Sequence, residues 1–153
     1  MKSQRSTITL KPIGTVRNEV RKPPKSPYDW NSVVSRIEID PVLTEALDNL
    51  DDFSHIIVLY WIDKLTAGPQ PLKVHPGHDP QRPLVGLFAS RSPRRPNSIG
   101  KATVKLLHRE GNVLTVAGLD AIDDTPVIDL KPYMPGYDSA DDASTPPWFK
   151  SYQ

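Results

Sequence analysis

The chain has 153 residues, a formal net charge of +1 and no cysteine. The length suffices for a real hydrophobic core, while the missing cysteines exclude a disulfide framework, a thiolate metal site and a cysteine nucleophile. So small a net charge excludes generic polyanion binding by the whole surface.

No run approaches the roughly 18 apolar residues of a membrane helix. The lead from Met1 to Ser6 runs into a strand pattern and not a signal peptide, so a cytoplasmic protein without membrane contact is expected. There are 17 prolines, more than twice the usual share of roughly 5%. They fall between apolar runs, which points to a loop-rich β protein and not to disorder.

In chain order, Thr7 to Arg17 predicts a strand, with Ile8 and Leu10 alternating against polar neighbours. Arg21 to Trp30 is a basic, proline-rich loop carrying the rings of Tyr28 and Trp30. Val33 to Ile39 is a second strand. Asp40-Pro41 starts a helix, an acid at the N-cap and proline at the first position, and Val42, Leu43, Ala46, Leu47 and Leu50 keep helical spacing. Phe53 to Ile62 is the most apolar run and predicts a strand buried on both faces. Asp63 to Arg82 is a long loop with several Pro and Gly, of the kind that usually carries function.

Val85 to Ser90 alternates as a strand and then becomes a loop, Arg91-Ser92-Pro93-Arg94-Arg95-Pro96-Asn97-Ser98, with three arginines. The prolines fix φ and stiffen it. An arginine fork grips carboxylate or phosphate with two parallel bonds. Lys101 to Arg109 and Val113 to Leu119 predict paired strands around Glu110-Gly111-Asn112. Asp123 to Pro126 is a turn before a last strand, Val127 to Leu130. From Pro132 the chain is turn-rich and ends on Trp148 and Phe149, rings expected to dock on something apolar. The sum is a mainly β protein, a single antiparallel barrel-like domain over 1–153 with one or a few short helices and no separate C-terminal domain.

Charge is unevenly placed. From Gln81 to Arg109 there are seven Lys/Arg and no acid, and from Glu110 to Thr145 eight acids and one base, Lys131. The basic block suits nucleic acid, or the two blocks pair within or between copies. His75-Pro76-Gly77-His78-Asp79 has metal-like residues but loop spacing and no third histidine, so no metal is expected. His55, inside the apolar run, reads more as a packing histidine than as a base.

Four stretches appear in order: Pro-Ile-Gly-Thr-Val-Arg (12–17), Asp-Asp-Phe-Ser-His (51–55), Gly-Leu-Phe-Ala-Ser-Arg-Ser-Pro-Arg-Arg-Pro-Asn-Ser-Ile-Gly (86–100) and Asp-Asp-Thr-Pro-Val-Ile-Asp-Leu-Lys-Pro-Tyr (123–133). Together they resemble the TsaA-like family, also called YaeB-like or TrmO-type. The resemblance implies a β-barrel, usually a homodimer, that binds S-adenosylmethionine and methylates N6 of threonylcarbamoyladenosine in tRNA. By motif matching, cofactor contacts fall on Asp63, Lys64, Arg91, Lys101, Leu119, Asp120, Ala121, Ile122 and Asp123. This chain departs from many members at Asp124 (often Gly), Ser98 (often Pro) and Ile62-Asp63 (often an aromatic-His pair).

Side-chain chemistry fits that implication. Arg91 suits a ligand carboxylate, and Asp120 and Asp123 suit a sulfonium or ribose hydroxyls. The residues expected to act on the acceptor are Asn97, which matches an adenine edge, with Arg95 and Tyr133; Arg94 and Lys131 are expected to bind it. Tyr133 and Phe88 are rings able to stack on a base, although such a ring beside a strand is more often core. A cofactor-binding sensor, a small-molecule methyltransferase and a plain RNA-binding barrel are the alternative functions.

Overall fold

In the computed structural model, which describes residues 6–65 and 68–152, antiparallel strands close into a barrel in the order β1-β2-β7-β6-β3-β8. The strands are β1 (Gly14–Arg17), β2 (Val34–Ile39), β3 (His55–Trp61), β6 (Ile99–Glu110), β7 (Val113–Ala117) and β8 (Pro126–Pro132). A two-stranded ribbon, β4 (Lys73–Val74) with β5 (Val85–Gly86), stands apart from the barrel. The lead from Met1 to Arg5, and Thr66 and Ala67 of the long loop, lie outside the described residues. Among the described residues no helix is long and apolar enough to cross a membrane.

Period-two alternation builds the core. Ala102, Val104 and Leu106 of β6 point in while Lys101, Thr103 and Lys105 point out. Ile37, Ile56, Val58, Leu114, Val116 and Val127 meet them inside. Ile57, on the outer face of β3, is also buried, in keeping with the apolar character of that run. The hairpin at 110–112 forms, with Gly111 at φ 58°, a left-handed conformation glycine adopts without penalty. At two places the ladder slips by a residue, in β8 opposite Leu59/Tyr60 and in β6 between Leu106 and His108. Such bulges sharpen the twist a small barrel needs.

Three expectations need correction. The first strand is only Gly14–Arg17: Pro12 offers no amide to a ladder, and Ile8 and Leu10 are exposed. The helix after Asp40 is a 3-10 helix, Pro41–Leu47, although Asp40 caps it through the Val42 amide at 3.2 Å; Leu43, Leu47 and Leu50 pack on the core. The alternating run after Val85 is a strand only as far as Gly86 and then a 3-10 turn, Leu87–Ala89. Its partner β4 is two residues long; one further bond, from the Leu87 amide to the Leu72 carbonyl at 2.9 Å, ends the ladder, and Pro71 before it has no amide to continue. At the C-terminus Trp148 and Phe149 are half-buried and meet edge to face at 6.2 Å.

Candidate functional site

A cleft of about 690 Å³ opens at the end of the barrel where β3 finishes and β6 begins. Four connections wall it: the proline-rich loop before β2, the exit from β3, the arginine loop before β6, and the segment between β7 and β8. This is a volume in the ordinary range for small-molecule sites.

Tyr60 and Asp120 form its floor. The Tyr60 hydroxyl donates to the Asp120 carboxylate at 2.7 Å. Burial, and then the neighbouring Asp120 charge, raise the phenol well above its ordinary value, while the positive charge of Arg91 opposes part of the rise. The ring fits because its β6 partner is Gly100. A Cβ there would overlap the ring atoms of Tyr60, so Gly100 is required for close approach and not for a special φ.

One wall is cationic. Arg91, Lys101, Lys64 and Arg95 all line the cleft. Lys64 donates to the Asp123 carbonyl at 2.9 Å and lies 3.7 Å from the Asp124 carboxylate. Arg95 is tied down by its own loop, Nη1 donating to the carbonyls of Ser90 (2.8 Å) and Ser92 (3.3 Å). Arg91 is exposed and, among the described residues, has no hydrogen-bond or ion-pair partner. Asp63 and Asp120 add exposed carboxylates to the same cleft. The proline-rich loop adds apolar lining from Pro23, Pro24, Tyr28 and Trp30, the two rings edge to face at 4.9 Å.

Of the residues expected to contact the cofactor, Asp63, Lys64, Arg91, Lys101, Asp120, Ala121 and Ile122 line this one cleft. Leu119 is fully buried in the core and adjoins the cleft only through the chain. The Asp123 carboxylate is turned away: it accepts from Arg21 at 2.6 Å and from the Asn18 amide at 3.1 Å. It pins the start of the proline-rich loop, a structural role the sequence reading missed.

Of the residues expected to handle the acceptor, only Arg95 lines the cleft. Arg94 is half-buried beside Gly68, and Asn97 is exposed and outside the cleft lining. Lys131 and Tyr133 belong to the other end of β8. Val127 sits beside Tyr60, whereas Lys131 pairs with Ile57, roughly 13 Å further along a strand rising about 3.3 Å per residue. There Lys131 is held by Asp129 at 2.7 Å, and the Tyr133 ring meets His55 edge to face at 6.4 Å. His55 Nδ1 is within 2.8 Å of the Ser54 hydroxyl. One chain therefore does not bring Lys131 or Tyr133 to the cleft. The His75–Asp79 run is a turn, with His75 Nδ1 at 2.7 Å from the Arg82 carbonyl and Asp79 paired with Arg82 at 3.4 Å.

Tyr60, Tyr28 and Trp30 were not assigned roles from sequence. The two rings of the proline-rich loop were visible as aromatics, but nothing local says which cavity they face. Tyr60 lies inside an apolar run where a ring reads as core, and the signal that sets it apart is a glycine 40 positions later, across the sheet.

Comparison with known proteins bears on this geometry. A family model described as the tRNA-methyltransferase O N-terminal domain matches residues 13–139. The chain belongs to this family. Its barrel superposes on the crystal structure of TrmO from Pseudomonas aeruginosa with a TM-score of 0.75 at 30% identity, covering 95% of this chain and 63% of that one. A probable S-adenosyl-L-methionine-binding protein of Archaeoglobus fulgidus is 41% identical over 145 residues, 94% of this chain and 38% of that protein. The mouse tRNA (adenine(37)-N6)-methyltransferase is 39% identical over 99 residues, 65% of this chain and 23% of the mouse protein. The chain thus spans between 23% and 63% of the length of these relatives.

Proposed function

We propose that the cleft binds S-adenosylmethionine and that the chain transfers its methyl group to N6 of threonylcarbamoyladenosine in tRNA. The observation that carries this reading is the meeting, in one cleft, of a guanidinium without a partner among the described residues, a carboxylate floor and an aromatic wall. Those are the complements of an amino-acid carboxylate, a cation or ribose hydroxyl, and a purine. The residues fit the cofactor on their own chemistry, and the names of the relatives agree with it.

When bound, S-adenosylmethionine supplies an electrophilic methyl on a sulfonium. The task left to the chain is alignment. Arg91 and Lys101 hold the anionic end. Asp120, fixed by the Tyr60 hydroxyl, offers its free carboxylate oxygen to a cation or hydroxyl. Tyr28 and Trp30 receive a flat ring. Arg95, locked to its loop carbonyls, sits where an acceptor would enter.

We further propose a cytoplasmic homodimer. The tRNA acceptor sets the compartment. The dimer is supported by the remote end of β8, where Lys131 and Tyr133 stand among the exposed apolar side chains of Phe53, Leu107, Met134 and Tyr137. A second copy supplies a cover for that surface.

Calorimetric titration with S-adenosylmethionine tests the cofactor. Mass spectrometry of nucleosides from tRNA incubated with protein and cofactor, with and without the threonylcarbamoyl group, tests the reaction. A new methyl confined to the threonylcarbamoylated tRNA is expected. Cofactor binding with no methylated nucleoside in either sample would replace the reading with a sensor or a small-molecule methyltransferase.

A further inference from the structure

We propose that Phe88 and Arg95 form a stacking platform for one unpaired base of the RNA, next to the base that enters the cleft. The identity of the polymer rests on the methyl-transfer reading above; the platform itself rests on the following geometry.

The 3-10 turn Leu87–Ala89 sends neighbouring side chains in opposite directions. Leu87 is 4% exposed and Phe88 77%. The turn is fixed by Ser90, whose hydroxyl and amide both donate to the Leu87 carbonyl, at 2.7 and 3.1 Å. A single exposed phenylalanine is unremarkable by itself. This one has the guanidinium of Arg95 5.6 Å from its ring centroid, and Arg95 cannot swing away without breaking its bonds to Ser90 and Ser92. Arg95 also lines the cleft. A rigid ring and cation therefore stand one side chain from the proposed reaction site, with one ring face and edge left to solvent.

Surroundings select the occupant. Arg91, Arg94, Arg95 and Lys101 lie in and directly after the loop that carries the platform, a local positive charge that attracts a polyanion although the whole chain is nearly neutral. Arg82 and Arg109 of the same acid-free segment are instead paired with Asp79 and with Asp48 and Asp51. Exposed rings beside arginines are the means by which single-stranded nucleic acid is held, because every base has a π face and every linkage a phosphate. The turn is also tied to the preceding ribbon, where the Leu72 carbonyl accepts from the Leu87 amide at 2.9 Å. An acidic, aromatic-poor partner protein would answer the charge but leave the ring unused.

The test is fluorescence anisotropy of a labelled, threonylcarbamoylated anticodon stem-loop RNA with cofactor-loaded protein, repeated with each loop base in turn replaced by an abasic site. Phe88→Ala is expected to weaken binding by about 5- to 150-fold, the usual range for alanine substitution of a ring that stacks on a base. Phe88→Tyr should bind like the wild type. Phe88→Leu, apolar but without a π face, should behave like Phe88→Ala. One abasic position should cost as much in the wild type and nothing further in Phe88→Ala. Calorimetry should give the same S-adenosylmethionine affinity for Phe88→Ala and wild type.

Full RNA affinity in Phe88→Leu or Phe88→Ala, or a wild type that does not bind the RNA, overturns the platform. So does a dimer-to-monomer change in Phe88→Ala by sedimentation, which would make the ring part of a subunit interface. The two readings fail separately. Methyl transfer with unchanged RNA KM in Phe88→Ala sinks the platform alone. Base-dependent RNA binding through Phe88 with no methyl transfer by the wild type sinks the reaction alone.

Discussion

The two ends of the β3–β8 ladder carry the same kinds of residue and use them differently. At the cleft end, Tyr60 is buried with its hydroxyl on Asp120, and Arg91 stands nearby without a partner among the described residues. At the other end, Tyr133 lies half-exposed against His55, and Lys131 is already neutralised by Asp129 at 2.7 Å. A tyrosine, a cation and a carboxylate are present in both places. What separates them is desolvation on one side and satisfied charge on the other. A cation at a concave site without a partner among the described residues is available to a ligand, whereas an exposed pair is mostly already spent on its neighbour and on water.

The contrast is broken most severely at Gly100. A methyl group there has to displace the Tyr60 ring, which is overpacking in a strand pair with little slack. Gly100→Ala should destabilise the fold by up to about 3 kcal/mol and move Asp120 with the ring. Denaturant unfolding and S-adenosylmethionine titration of the same preparation read both effects. A variant with wild-type stability and affinity would show that Tyr60 has room the geometry denies it.

Next comes the partnerless cation. Arg91→Ala should cost about 2 kcal/mol of cofactor affinity, within the range for a charge-assisted hydrogen bond, with no change in the unfolding midpoint. Arg91→Lys should recover part of it, since an ammonium lacks the planar fork. Unchanged calorimetric affinity in Arg91→Ala would remove the residue from the site.

Much of this was legible in the sequence, for identifiable reasons. Strands β2, β6 and β7 alternate cleanly because one face is core, and Gly111 marks the hairpin between the last two. Arg91 was legible because it sits in a motif shared with a known family, and Lys101 and Asp120 because they adjoin such motifs; all three bear charge. Where alternation lacked a partner strand it misled: Ile8 and Leu10 alternate in open solvent, and the run after Val85 outlasts the two-residue β4. Phe88 was read as a ring able to stack on a base or, more commonly, to pack in the core, and the turn geometry decides between them by putting it outside. Lys131 and Tyr133 were grouped with the site because motifs give order along the chain but not the end of the barrel at which each falls. That depends on β8 running antiparallel to β3, with register set by a bulge opposite Leu59/Tyr60.

A gentler change acts on the floor of the cleft. Tyr60→Phe keeps the ring and removes the hydroxyl, so Asp120 loses one donor but remains hydrated. The expected loss is about 1 kcal/mol in stability, with a smaller fall in cofactor affinity. The pH dependence has a definite sign. Burial, then Asp120, raise the folded-state phenol above its unfolded value of 10.0. The folded state thus holds this proton more tightly than the unfolded state does. Its contribution is complete below pH 10 and is lost as pH rises beyond it. Wild-type stability should therefore fall more steeply above pH 10 than that of Tyr60→Phe. Parallel curves would mean that the hydroxyl is not buried in solution.

The smallest expected effect is at the other end of the ladder, and it sharpens the comparison most. Lys131→Ala removes an exposed cation whose ammonium is occupied by Asp129. Pairs of this kind contribute little, so the unfolding midpoint should not move. Lys131 is also four residues along β8 from Val127, the partner of Tyr60, and outside the cleft lining, so S-adenosylmethionine affinity should not move either. RNA turnover is the discriminating readout. If a second copy brings this end of the barrel to the acceptor, Lys131→Ala raises the RNA KM and flattens its salt dependence, and mixing it with Arg91→Ala protein, at a cofactor concentration too low to saturate Arg91→Ala, restores some activity through mixed dimers. If RNA turnover is unchanged, Lys131 is a solvated surface residue and the cleft works with what one chain supplies.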